Sequence, residues 1–101
     1  MRMLMHVEFP LEPFNSYVRD GSAGARIQKI VADAKPEAVY FCEHAGKRAG
    51  FLVINLEDSS MVPAFAEPWF LGFNAIVEFR VAMTPDDLGR AGLAALGKKW
   101  G

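Results

Sequence analysis

His6 and Glu8 stand two residues apart in the run Arg2 to Phe9, and Glu78 and Arg80 stand two apart in Asn74 to Met83. In an extended chain that spacing sends both members of a pair to the same side. Side by side, the two runs would gather a histidine, two carboxylates and an arginine on one surface. Those groups suffice for proton transfer, with a carboxylate as base, His6 as acid and Arg80 holding an anionic substrate. The other reading is structural: Arg80 with Glu8 or Glu78 forms an ion pair that offsets buried charge at an interface.

Tyr40, Cys42 and His44 share one parity of a second extended run. Cys42 and His44 would then stand side by side rather than aim at each other, a poor geometry for a nucleophile and its base, so Cys42 reads as a small buried thiol. His44 could join His6 and a glutamate around a metal, but two histidines without close motif spacing do not specify a site, and no metal is expected. Gly21 to Gly24 lacks the Lys-Ser/Thr that completes a phosphate loop. No cofactor is implied.

The chain has 101 residues, 51% apolar and 23% charged, with a formal net charge of −1. That is one domain, spanning residues 1–101, with the balance of a folded globule. It carries no basic field to hold a phosphate backbone, so no nucleic-acid partner is expected. A single cysteine, a short N-terminal apolar run and no stretch of ~20 apolar residues point to a cytoplasmic protein without a membrane partner.

The elements that must position these side chains follow from the patterning. Arg2 to Phe9 alternates as a half-buried strand and stops at Pro10. A helical stripe runs from Pro13 to Ala34, weakened over Asp20 to Gly24, where either a break or a close backbone approach is expected. Lys35-Pro36 ends it. Glu37 to Asp58 reads as a hairpin with its tip at Ala45 to Gly50. Ser59 or Ser60 is placed to cap a short helix over Met61 to Ala66, closed by Glu67-Pro68 and followed by Trp69 and Phe70 as a core plug. Asn74 to Met83 is a fourth strand. Thr84-Pro85-Asp86-Asp87 then opens a terminal helix with Leu88, Ala91, Gly92, Ala95 and Leu96 on its apolar side.

The order is α+β, a ferredoxin-like βαββαβ: a four-stranded antiparallel sheet in order 4-1-3-2 with helices on one face, plus a C-terminal helix. The hairpin is expected to pair in parallel with the first strand and to form the outer edge. The helices should cover Met3, Met5, Val7, Phe9, Leu52, Ile54, Leu56, Val77, Phe79 and Val81. The open face would carry Leu4, His6, Glu8, Phe51, Val53, Asn55, Ile76, Glu78 and Arg80, with either Val39, Phe41 and Glu43 or Tyr40, Cys42 and His44.

Apolar groups mixed with charges on such a face mark a contact surface. A homodimer through the sheet face would enclose a polar pocket, with Phe51, Tyr40 and Asn55 as its ligand-facing walls beside His6 and Arg80. The alternative is a monomer whose terminal helix folds across the face, with Leu88, Leu93, Leu96 and Trp100 as the cover.

This layout resembles the dimeric α/β-barrel superfamily, small ferredoxin-like domains that pair through their sheets. Met3-Leu4-Met5-His6-Val7 is similar to the start of muconolactone isomerases, of whose N-terminal pattern His6 carries over; Glu8 stands where those enzymes tend to be basic. Ala66-Glu67-Pro68-Trp69-Phe70, Phe73-Asn74-Ala75, Val77-Glu78-Phe79 and Met83-Thr84-Pro85 together resemble an uncharacterised bacterial group within the superfamily. The resemblance implies a homodimer with a small-molecule ligand, and either a proton-transfer activity of the isomerase type or a module that binds without turnover.

Overall fold

Four strands form the sheet: β1 (Arg2–Glu8), β2 (Ala38–His44), β3 (Lys47–Asn55) and β4 (Ile76–Val81). The computed structural model describes all 101 residues. The strand order is β2-β3-β1-β4, and every neighbouring pair is antiparallel, β1 with β3 included. This corrects the parallel pairing expected between the hairpin and β1. The order itself is the expected one.

The hairpin is tighter than its glycine content suggests. Ala45 and Gly46, at φ 53° and 78°, are the only two residues between β2 and β3. Positive φ at both central positions is the turn that matches the strands' twist. Lys47 to Gly50 is therefore paired strand rather than loop.

The helical stripe is divided as a break, not a bent single helix. Helix α1 (Phe14–Asp20) ends at Gly21, whose φ of 79° lets its N–H reach back to the Tyr17 and Val18 carbonyls. Helix α2 (Ala23–Ala34) restarts after Ser22. A 3-10 turn at Ser59–Met61 leads into α3 (Val62–Phe73); Asp58, not a serine, supplies the cap by accepting from the Ser60 N–H at 2.8 Å.

Pro68 does not end this helix, contrary to expectation. An internal proline removes one helical hydrogen bond and costs about 3 kcal/mol. Here Ala66 before the proline and Trp69 and Phe73 after it are all buried, so both parts of α3 are anchored in the core. Phe70, expected beside Trp69 in the core, points outward.

The core lies between the helices and one sheet face. Met3, Met5, Val7, Phe9, Leu52, Ile54 and Leu56 are buried there, as the alternation predicts, with Val77 and Phe79 packed at its margin. Phe9 meets Phe14, Trp69 and Phe73 edge-on at 5.1, 5.7 and 5.3 Å between ring centroids. Val81 departs from the set at 62% exposure, because the helical layer does not extend to that end of β4.

The terminal helix is two pieces, α4 (Pro85–Gly89) and α5 (Leu93–Trp100), separated by Gly92 at φ 74°. Thr84 caps α4 as expected, accepting from the Asp87 N–H while the Asp87 carboxylate accepts from the Thr84 N–H. Neither piece folds over the sheet. Leu88, Leu93, Leu96 and Trp100 are all exposed, and the molecule measures 59 × 28 × 19 Å. The terminal helix therefore does not cover the sheet face of its own chain.

Candidate site on the open sheet face

The backbone register decides what meets on the face opposite the helices. His6 stands opposite Phe51 on β3 and opposite Glu78 on β4, and Phe51 stands opposite Tyr40 on β2. Directly paired residues of antiparallel strands share a face. Tyr40, Cys42 and His44 therefore lie on the open side, which settles the parity left open for β2. Cys42 is exposed, not buried, because β2 is the outer strand of the sheet.

His6 is the focus of this surface. Its ring lies flat on Phe51, 4.5 Å between centroids and 11° from parallel, and meets His44 edge-on at 5.0 Å. It is 6% exposed, the one buried polar side chain in the molecule. Its Nε2 is buried without a hydrogen-bond partner, which costs about 1–3 kcal/mol when nothing compensates. Tyr40, by contrast, is exposed.

The four proposed catalytic residues are not one cluster. Glu78 is level with His6, whereas Arg80 is level with Leu4 and Glu8 with Ile76. Arg80 Nη2 pairs along its own strand with Glu78 Oε2 at 3.5 Å, and Glu8 Oε1 takes Lys47 Nζ at 3.1 Å. Arg80 is thus not a cross-strand partner of Glu8. The sequence places Lys47 in the hairpin tip, but its parity with Ala49 and Phe51 puts it on the open face once β3 extends back to it.

Asn55 sits at the far end of β3, where its Oδ1 accepts from the Met1 amino group at 3.0 Å, four residues from Phe51. Arg2, on the same face, is held bidentately by Glu37, and that contact raises its already high pKa further. Three cations thus neutralise three carboxylates around the rim, leaving Leu4, Phe51, Val53 and Ile76 as the unpaired apolar surface. No three His, Cys, Asp or Glu side chains converge as a metal site.

The concave surfaces of a single chain lie elsewhere. An open cleft of about 600 Å³ lies between α2 and α3, beside Arg26, Lys29, Ile30, Pro68 and Phe73, and one of about 140 Å³ lies beside Glu8, Lys47, Asn74 and Ile76. Neither is lined by His6, Phe51, Tyr40 or Asn55, so the expected pocket around those residues is not closed by one chain. No helix is long and apolar enough to cross a membrane.

No protein-family model matches the chain, and no curated protein sequence does. Among solved structures, 5-chloro-2-hydroxyhydroquinone dehydrochlorinase from Burkholderia phenoliruptrix, in complex with 2,5-dihydroxybenzoquinone, superposes with a TM-score of 0.59 at 18% identity, over 86% of this chain and 99% of that one. The de novo designed protein Ferredog-Diesel gives 0.48 at 10% identity, over 80% and 85%. At this identity the dehydrochlorinase likeness concerns architecture alone, and with the observed strand order it establishes the fold as ferredoxin-like α+β.

Proposed function

We propose that this protein is a homodimer that binds a small planar molecule against the His6–Phe51 stack of its open sheet face, with His6 exchanging a proton with the ligand. The buried, unpartnered Nε2 of His6 carries this reading. A buried polar atom without a partner is costly, and a ligand oxygen beside it would remove the cost. Phe51 supplies a flat apolar floor, and the second copy supplies the roof that one chain lacks. The hydroxyquinone bound by the dehydrochlorinase has the required flatness and acceptor oxygens. The isomerase-type chemistry suggested by the N-terminal run fits the same group, since His6 is the residue both readings share.

A second reading is binding without turnover. It is favoured by the pairing of both possible bases, Glu8 with Lys47 and Glu78 with Arg80. Each of these carboxylates has one oxygen already engaged by a cation.

Titration with 2,5-dihydroxybenzoquinone, followed by calorimetry, tests the common part. Saturable binding that weakens tenfold or more in His6→Ala supports the site. Equal affinity in wild type and His6→Ala would remove it. Conversion of the probe, monitored by its absorbance, then separates catalysis from binding.

A further inference from the structure

The C-terminal arm, residues 84–101, has no place on its own body. No residue of α4 or α5 is buried. Leu93, Leu96 and Trp100 nevertheless recur at i, i+3 and i+7, an apolar stripe of the kind that packs against something. An isolated helix of this length is marginal in water, so α5 requires a partner to persist.

Size and area say how large that partner surface must be. The radius of gyration is 17.0 Å, against about 13 Å for a compact chain of this length. The exposed area is 6833 Å², against about 5,700 Å² for a compact monomer of this mass. The difference, about 1,100 Å², exceeds the ~800 Å² that each partner contributes to a standard stable interface. The arm leaves from β4, the strand beside His6, and the same chain offers a matching apolar surface whose rim charges are already neutralised.

Resting on the homodimer and pocket proposed above, we infer that the arms are exchanged: α5 of each copy packs on the open face of the other. Leu93, Leu96 and Trp100 of one copy complete the wall of the pocket over the His6–Phe51 stack of its partner. The occupant is a second copy because an isologous pair satisfies both surfaces of both chains at once, with no leftover arm and no leftover face. The site is then incomplete in any single chain, which agrees with neither cleft being lined by His6.

The two tryptophans make this measurable without labels. Trp69 is fully buried in the core and shielded under all native conditions, so acrylamide quenching reports on Trp100. Light scattering and quenching are run together on wild type and on the double variant Leu93→Glu, Leu96→Glu. The expected result is a wild-type dimer with Trp100 shielded, and a several-fold larger quenching constant in the variant. A dimer whose Trp100 is freely quenched, unchanged in the variant, overturns the exchange and leaves the sheet-face dimer standing. A monomer with Trp100 exposed overturns both, and a monomer with Trp100 shielded shows the arm packing on its own body. Cross-linking distinguishes copies: Trp100→Cys with Cys42→Ser, mixed with wild type and treated with oxidised glutathione as the two-electron acceptor, should form a mixed disulfide through the open-face Cys42, and failure to do so in a proven dimer counts against the exchange.

Discussion

The imidazole of His6 lies face to face with the ring of Phe51, in register across β1 and β3, with the His44 ring against its edge. A stacked pair of this kind contributes about 0.5–1.5 kcal/mol beyond the area it buries. Phe51→Leu keeps much of the apolar area and loses the stack. It should lower unfolding free energy by about that amount in urea titrations, with a loss of affinity for the planar probe. A variant as stable and as tight-binding as wild type would show that the stack is incidental.

Glu78 and Arg80 form an exposed pair on one strand. Exposed pairs are worth about 0.2–1 kcal/mol, whereas the proposed sheet-face dimer would bury this one, so a double-mutant cycle with Glu78→Gln and Arg80→Met should return a coupling above about 1 kcal/mol. A coupling within the exposed range would show that the pair stays in solvent and would count against the sheet-face dimer.

Trp69→Ala should be the most damaging substitution of the set. The indole is fully buried against Phe9 and Phe73 and anchors the part of α3 that follows Pro68 in the core. Truncations of this kind cost about 3–5 kcal/mol, a large part of the ~5–15 kcal/mol available to a domain. Thermal denaturation followed by circular dichroism measures it, and loss of helical signal before strand signal would locate the failure in α3.

Two glycines near one another should respond in opposite directions. Gly21 has a positive φ with open space around it, so Gly21→Ala meets no clash and loses only the backbone conformation, about 1–2 kcal/mol. Gly24 is helical and equally open, so Gly24→Ala should stabilise by about 0.4–1 kcal/mol. Chemical denaturation of both variants checks the pair.

Acid should loosen the helix starts first. Ser16, chiefly through its hydroxyl, holds the Glu12 carboxyl below its ordinary range, and Ser22 does so for Asp20; the backbone N–H groups of Ser60 and Thr84 are the chief cause for Asp58 and Asp87. For a depressed carboxyl the stabilisation is complete above the unfolded pKa and disappears as pH falls through the folded one. The thermal midpoint should therefore be flat with pH down to about 5 and fall below about 4. Asp87→Asn should remove the part of that slope belonging to α4.

How much of this was legible in the chain depends on whether a feature is local. The alternation of Met3, Met5 and Val7, the cap at Thr84 and the break at Gly21 are fixed by neighbouring residues, and the sequence alone specified them along with the ferredoxin-like order. Pro68 within a helix, Val81 outside the core and Cys42 on the surface were not, because each depends on what packs against it from distant parts of the chain. The candidate site divides the same way. Two-residue spacing placed His6 and Glu8 on one face, with Glu78 and Arg80, but only the register of β1 against β3 and β4 decided that His6 meets Phe51 and Glu78 while Glu8 turns to Lys47. A slip of one residue would have sent the whole set to the other side. The fate of Leu93, Leu96 and Trp100 is the least local of all, since their amphipathic spacing calls for a partner and only the three-dimensional arrangement shows that their own sheet does not provide it.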